Sequence, residues 1–80
     1  MFKNKNQDGS LNLCGKQIYT LRRLQKLSQR ALADRLQLLG LDVTKNTIQQ
    51  IEQGTRFVTD IELAVIAEFF DTTTDALIGK

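Results

Sequence analysis

The chain has 80 residues, enough for one domain with a small core. With one cysteine and no histidine it lacks an internal disulfide, a histidine-assisted nucleophile and the ligands for a zinc site, so we expect neither an enzyme nor a cofactor or metal. The longest apolar run has five residues, which is too short to span a membrane, and no signal peptide is evident, so we expect a cytoplasmic protein.

The net charge of +2 is unevenly distributed along the chain. Residues 1–56 have ten basic and four acidic side chains, whereas residues 57–80 have one basic and five acidic side chains. A basic part and an acidic part in so small a chain fit a polyanionic partner that faces one side. Chance, together with charges at helix ends, is the alternative explanation of this asymmetry.

Five short helices and no strand are predicted, which makes the chain all-α. Residues 1–12 are polar and predict a flexible arm, so the domain itself is expected over residues 13–80. The helices are expected at about residues 14–26, 29–39, 45–53, 60–70 and a short stretch after residue 73, with N-caps at Ser28, Thr44, Thr59 and Thr73 and glycine stops at Gly40 and Gly54. Their apolar stripes predict a core of Ile18, Leu21, Leu24, Leu32, Leu36, Leu39, Ile48, Ile51, Leu63, Ile66, Ala67, Phe70 and Leu77.

The third helix has an unusual outer face for a helix that only packs on a core. Ile48 and Ile51 are its only apolar residues, so it contacts the core along one narrow edge. Its outer face has amide and lysine side chains but no carboxylate. Asn and Gln can make two hydrogen bonds to adenine and Lys can donate to guanine, whereas carboxylates would repel phosphates. A solvated polar face is the alternative interpretation. The side chains concerned are Lys45, Asn46, Gln49, Gln50 and Gln53.

Five short segments occur in an order typical of one DNA-binding family. They are Ile18-x-x-Leu21-Arg22, Ser28-Gln29-x-x-Leu32-Ala33, Thr47-Ile48-x-x-Ile51-Glu52-x-Gly54, Leu63-x-x-Ile66-Ala67 and Thr73-x-Asp75-x-Leu77. With them, residues 16–79 closely resemble the phage-repressor/Cro-type helix-turn-helix family, also called the xenobiotic-response-element family. The resemblance implies a lambda-repressor-like DNA-binding domain with the helix-turn-helix at the second and third helices.

The spacing within the motif departs from that family. From Ser28 to Thr47 the chain has about five residues more than the common spacing. The extra residues lie within 37–43 and are largely apolar. We therefore expect a lengthened second helix, a lengthened turn and a larger core.

The resemblance implies DNA contacts from both helices of the motif. In such domains the second motif helix lies in the major groove, and its N-terminal residues reach the bases. The residues implied to read bases are Lys45, Asn46, Gln49 and Gln50. The residues implied to contact phosphates are Gln29, Thr44, Thr47, Gln53 and Arg56. The residues that match a family ion pair, which would hold the recognition helix at a fixed angle, are Arg22 and Glu52; the alternative is that Glu52 is a surface acid.

The fourth helix has a second apolar stripe beside the one expected to face the core. It consists of Ile61, Val65 and Phe69, spaced four residues apart. In so small a chain a second stripe predicts a homodimer contact. The alternative is that other apolar residues of the same chain cover it, the candidates being Phe57, Leu11 and Leu13.

These features together predict sequence-specific binding of double-stranded DNA by a transcription regulator. We expect a repressor that acts as a homodimer by occupying a near-palindromic operator. No catalytic residue, cofactor, metal or membrane contact is expected. The alternative is a protein-interaction module with a protein partner, as antitoxins with this fold bind toxins. Such a module has no need of a third helix with a face free of acids.

Overall fold

The computed structural model of the protein describes residues 5–79, and within them the chain is all-helical. The helices are α1 (Gly15–Leu24), α2 (Gln29–Leu38), α3 (Lys45–Gln53), α4 (Asp60–Phe69) and α5 (Thr74–Leu77). The predicted all-α class with five short helices is confirmed. Residues 1–4 of the predicted arm, and residue 80, lie outside the described residues. No helix among residues 5–79 is long and apolar enough to cross a membrane.

Hydroxyl side chains set the start of four helices, at the positions that the sequence indicates. Ser28 Oγ accepts from the backbone N–H of Ala31 at 3.0 Å, and Thr73 Oγ1 accepts from that of Ala76 at 3.0 Å. Such caps satisfy N–H groups that have no partner inside the helix, and each typically contributes about 1 kcal/mol. α3 and α4 begin with reciprocal capping boxes. These helix starts are therefore fixed by local chemistry.

The helices α1 to α4 each end where the chain reverses at a residue with positive φ, and Gly79 (φ 83°) follows α5. Gly40 (φ 95°) follows α2 and Gly54 (φ 77°) follows α3, as predicted, because glycine adopts this conformation without a Cβ penalty. Lys26 (φ 57°) and Asp71 (φ 54°) do the same after α1 and α4, where a side chain costs about 1–2 kcal/mol. After each of these four residues, the backbone N–H of the following residue donates a hydrogen bond to a carbonyl in the last turns of the helix, at 3.0 or 3.1 Å.

The core lies between the inner faces of the five helices. α3 enters it only through Ile48 and Ile51, as its spacing predicts. The narrow contact leaves most of α3 at the surface, next to α2. The fully buried aliphatic side chains are Ile18, Leu32, Leu36, Val43, Ile48, Ile51, Ile66 and Leu77.

Two leucines predicted for the core lie at the surface instead. Leu24 is 73% exposed and Leu39 is 47% exposed. Leu24 is the last residue of α1, and α2 ends one residue before Leu39. The chain therefore turns away before either side chain can extend the inward stripe of its helix.

The extra residues between α2 and α3 enlarge the core only in part. Leu41 and Val43 are buried and belong to the same apolar cluster as Leu36. Gln37 Nε2 donates to the Val43 carbonyl at 2.7 Å, and this bond ties the turn to α2. Leu38 is 83% exposed, because it lies two residues from Leu36 and points away from the buried stripe of α2. The prediction that these apolar residues enlarge the core is thus wrong for Leu38 and Leu39.

Residues 10–12 pack against the C-terminal end of α3, although their polar composition predicts a flexible arm. The Leu11 N–H donates to the carbonyl of Gly54 at 2.8 Å. Asn12 Nδ2 donates to the carbonyl of Ile51 at 3.0 Å and to that of Arg56 at 2.8 Å. The folded unit therefore includes residues 10–12, because their side-chain and backbone donors satisfy carbonyls at the end of α3.

Gly15 allows α1 and α3 to approach each other closely. Its N–H donates to Asn12 Oδ1 at 2.8 Å, at the start of α1. A Cβ atom at Gly15 would overlap the carbonyl oxygen of Ile51 in α3. The absence of a side chain at this position thus sets the distance between the two helices.

Candidate nucleic-acid interface

α3 presents its lysine and amide side chains to the surface. Its two isoleucines are fully buried on the opposite edge. Its one carboxylate, Glu52, is turned toward α1 and is nearly buried. The predicted base-reading and phosphate-contacting side chains of the outer face are therefore free of a neighbouring acid within α3. Those that are exposed are Lys45, Asn46, Gln50 and Gln53, while Gln49 is half-buried.

Arg22 and Glu52 form a bidentate ion pair between α1 and α3. Arg22 Nε lies 2.6 Å from Glu52 Oε2, and Nη2 lies 3.0 Å from Oε1. The two side chains are only 8% and 5% exposed. Arg22 Nη1 also donates to the Leu27 carbonyl at 2.8 Å, and hydrogen bonding to Glu52 raises the pKa of the guanidinium. A two-bond pair of this kind fixes angle as well as distance, so it holds α3 in one orientation relative to α1.

Gln29, the first residue of α2, joins the same ion pair. Its Nε2 donates to Glu52 Oε1 at 3.0 Å. This bond uses one of the two amide hydrogens and leaves the second for another acceptor. The predicted phosphate contact is therefore oriented by a fixed carboxylate, at a helix N-terminus that favours an anion.

Thr44 and Thr47, two predicted phosphate contacts, cap α3 by bonding to each other. Thr44 Oγ1 accepts from the Thr47 N–H at 3.3 Å, and Thr47 Oγ1 accepts from the Thr44 N–H at 3.1 Å. The two hydroxyl oxygens are also 3.1 Å apart, so one donates to the other. Only one hydroxyl hydrogen of the pair is then left for a phosphate.

Arg56, in the loop between α3 and α4, is paired with Glu62. Arg56 Nη1 and Nη2 donate to the two carboxylate oxygens at 3.1 and 3.0 Å, and Nη1 also donates to the Phe57 carbonyl at 2.9 Å. Glu62 accepts from the Thr59 N–H at 2.9 Å as part of the α4 cap. Hydrogen bonding from Arg56 lowers the pKa of the Glu62 carboxyl. A phosphate at Arg56 would have to displace or share this internal carboxylate.

A family model described as helix-turn-helix matches residues 18–77 of the chain. The chain belongs to the Cro/C1-type helix-turn-helix family. The family is a DNA-binding one, and α2 and α3 are the two helices of its motif. The resemblance seen in the sequence is thereby confirmed. No curated protein and no solved structure matches the chain significantly.

The helix-turn-helix motif also has a polar surface on α2 that the sequence analysis did not assign. Arg30, Asp34 and Gln37 line a groove together with the first residues of α3. Their spacing of four and three residues places them on one helix face, which is the signal that could have identified this surface. For Asn12 and Gly15 no such signal exists, because both act on a helix nearly forty residues away.

The candidate dimer contact on α4 of the helix-turn-helix domain is available only in part. Ile61 is 70% exposed. Val65 and Phe69 are half-buried and pack against the core. Leu13 and Phe57 are themselves about half exposed. The exposed apolar surface is therefore concentrated at the start of α4 rather than along the whole stripe.

Proposed function

We propose that the protein is a sequence-specific transcription regulator of double-stranded DNA, a cytoplasmic repressor that acts by occupying its operator. The surface of α3 carries this proposal. Its exposed side chains are lysine and amides, and its one carboxylate is held in the ion pair with Arg22. Such a face fits a groove whose edges carry phosphates and whose floor presents base donors and acceptors. Occupancy requires no catalytic residue and no cofactor.

Base reading is assigned to the first two turns of α3. Lys45 and Asn46 are exposed at its N-terminal end, the end that reaches base edges in domains of this kind. Gln50 is exposed one turn further, and Gln49 is half-buried beside it. The Arg22–Glu52 pair supports this role because a rigid helix places each side chain at a fixed height in the groove.

Phosphate contacts are assigned to groups around the reading face. The second amide hydrogen of Gln29, the free hydroxyl hydrogen of the Thr44–Thr47 pair and the side chain of Gln53 supply about three contacts per subunit. Arg56 contributes only where a phosphate competes with Glu62. A dimer would then meet about six phosphates. Because these donors are uncharged, they position the domain on the backbone, and the salt dependence of binding comes from nearby Lys and Arg side chains instead.

A homodimer is part of the proposal. The exposed Ile61 supports a contact between two copies at the start of α4, with Val65 and Phe69 behind it. A two-fold dimer of this family places two recognition helices about 34 Å apart, one turn of DNA, and so reads a near-palindrome. In sedimentation velocity we expect the parent to behave as a dimer and Ile61→Glu as a monomer; equal sedimentation of both would remove this contact.

In vitro selection from random duplex DNA tests the proposal. We expect the purified protein to enrich a two-fold symmetric site. Gln50→Ala should change the preferred bases at one position of each half-site. Gln25→Ala, which alters an exposed glutamine outside α3, is the matched control and should leave the preference unchanged. A selection that enriches no site, with only weak salt-sensitive binding, would contradict the proposed function.

A protein-interaction module is the second candidate, and one observation favours it. Leu38 and Ile61 are the most exposed large apolar side chains apart from Leu24 within residues 5–79. Apolar groups at the ends of α2 and α4 suit a protein partner of the kind that antitoxins bind. This candidate gains support if selection fails while a co-purified protein is released only by Ile61→Glu or Leu38→Glu.

A further inference from the structure

A groove separates the outer face of α2 from the first residues of α3. It is an open surface groove of about 400 Å³. It is formed by side chains from both helices of the motif and by Thr44, the last residue of the turn between them. The polar residues that line it are Arg30, Asp34, Gln37, Thr44, Lys45 and Asn46.

The two cations of this groove, Arg30 and Lys45, differ from the nearby arginines Arg22 and Arg56 in having no carboxylate partner within residues 5–79. Arg30 and Lys45 are exposed, and neither forms an ion pair within the part of the chain that the structure describes. Arg22 and Arg56 are each bound to a carboxylate. Two cations without an ion pair among the described residues, one on α2 and one on α3, therefore line the same groove.

The walls of the groove are held in place by local bonds. Gln37 donates to the Val43 carbonyl at 2.7 Å, so the turn is tied to α2. Thr44, at the start of α3, is fixed by its reciprocal bonds to Thr47. Arg30 and Lys45 thus project from two elements whose separation is set before any ligand binds.

We infer that this groove binds a phosphate of the DNA backbone, with Arg30 as its cationic contact and with the charge of Lys45, which is assigned to base reading, beside it. The inference rests on the proposed function and adds Arg30, which no earlier assignment includes. Asp34 lies one turn from Arg30 on the same face and lowers the affinity of the groove for an anion. The contact fixes the register of α3 on the duplex and is independent of base sequence, because phosphates carry no sequence information.

Salt-dependent binding to a labelled duplex of arbitrary sequence tests this inference, because phosphate contacts supply nearly all non-specific binding. Arg30→Gln should weaken binding equally for every duplex and make the slope of log affinity against log salt less negative by about 0.9 per subunit. Arg35→Gln is the matched control: it removes the same charge from an exposed site on α2 outside the groove. It should leave the slope unchanged.

The acid of the groove gives a second, opposite test. Asp34→Asn should strengthen binding to the same duplex, whereas Glu68→Gln, an equal charge change at an exposed position of α4, should not. Equal effects of Arg30→Gln and Arg35→Gln, or no gain from Asp34→Asn over Glu68→Gln, would overturn the inference while leaving DNA binding intact. A parent protein without salt-sensitive duplex binding would instead refute the proposed function itself.

Discussion

Removing the Glu52 carboxylate is expected to lower the stability of this small domain substantially. In Glu52→Ala, Arg22 keeps only its bond to the Leu27 carbonyl and loses two bonds of 2.6 and 3.0 Å, while 8% of its side chain is exposed. Gln29 loses its acceptor as well. Breaking a buried pair by deleting one partner typically costs about 3–5 kcal/mol, because it leaves a charge without compensation.

That loss is large relative to the stability of a domain of this size. About 0.05–0.15 kcal/mol per residue gives roughly 4–12 kcal/mol for the whole chain. At about 4–8 °C per kcal/mol, a loss of 3 kcal/mol lowers Tm by at least about 12 °C. Urea and thermal unfolding followed by circular dichroism measure both quantities, and the exposed Glu68→Ala is the control, expected to change stability by less than about 0.5 kcal/mol.

A double variant separates the charge from the shape of the site. Arg22→Met combined with Glu52→Met leaves no unpaired charge, so we expect it to be more stable than Glu52→Ala. Its α3 would lose the two-bond constraint, and its affinity for the selected operator should fall even where the fold is retained. An unchanged Tm in Glu52→Ala would refute this reasoning.

Four further predictions follow from single contacts. Gly15→Ala should destabilise the protein by about 1–3 kcal/mol in urea unfolding, because its Cβ overlaps the Ile51 carbonyl, which outweighs the better helix propensity of alanine; a gain in stability would contradict this. Lys26→Gly should stabilise it by about 1 kcal/mol in the same assay, since it relieves a positive φ; a loss would show that the turn is not strained. The hydrogen bond from Arg56 lowers the pKa of Glu62, so the stability that its carboxylate contributes is complete above the ordinary pKa of 4.5 and is lost as pH falls through the folded pKa. Stability between pH 5 and pH 3 should therefore fall less in Glu62→Gln, which keeps the cap, than in the parent. Burial raises the pKa of the Cys14 thiol to about 11, so a thiol reagent at pH 8 should modify the native protein at least roughly 100-fold more slowly than the urea-unfolded chain, and equal rates would place the thiol at the surface.

Features that depend on neighbouring residues could be predicted from the sequence. Thr44 and Thr59 begin α3 and α4 because a hydroxyl beside free N–H groups acts within three residues. Gly40 and Gly54 end helices for an equally local reason. The polar outer face of α3 follows from helical spacing alone, since the isoleucines on one edge assign the other residues to solvent.

Features that depend on where a helix stops, or on a distant partner, could not be predicted. Leu39 has the spacing of the buried stripe of α2, and only the end of that helix places it outside the core. The pairing of Arg56 with Glu62 depends on the path of a loop, which has no periodic signal. The role of Asn12 could not be predicted from the polar N-terminal segment, because its two acceptors are 39 and 44 residues away.

The bonds between residues 10–12 and the last turn of α3 have a practical consequence for handling the protein. A shortened chain that starts at residue 13 would leave the carbonyls of Ile51 and Arg56 without the Asn12 amide, and α1 without its first acceptor. A purification tag joined at residue 10 would lie directly beside these contacts with the end of α3. Protease cleavage in this segment would break the same contacts, and we expect it to lower DNA affinity. Handles, labels and surface tethers therefore belong on the α5 side of the molecule.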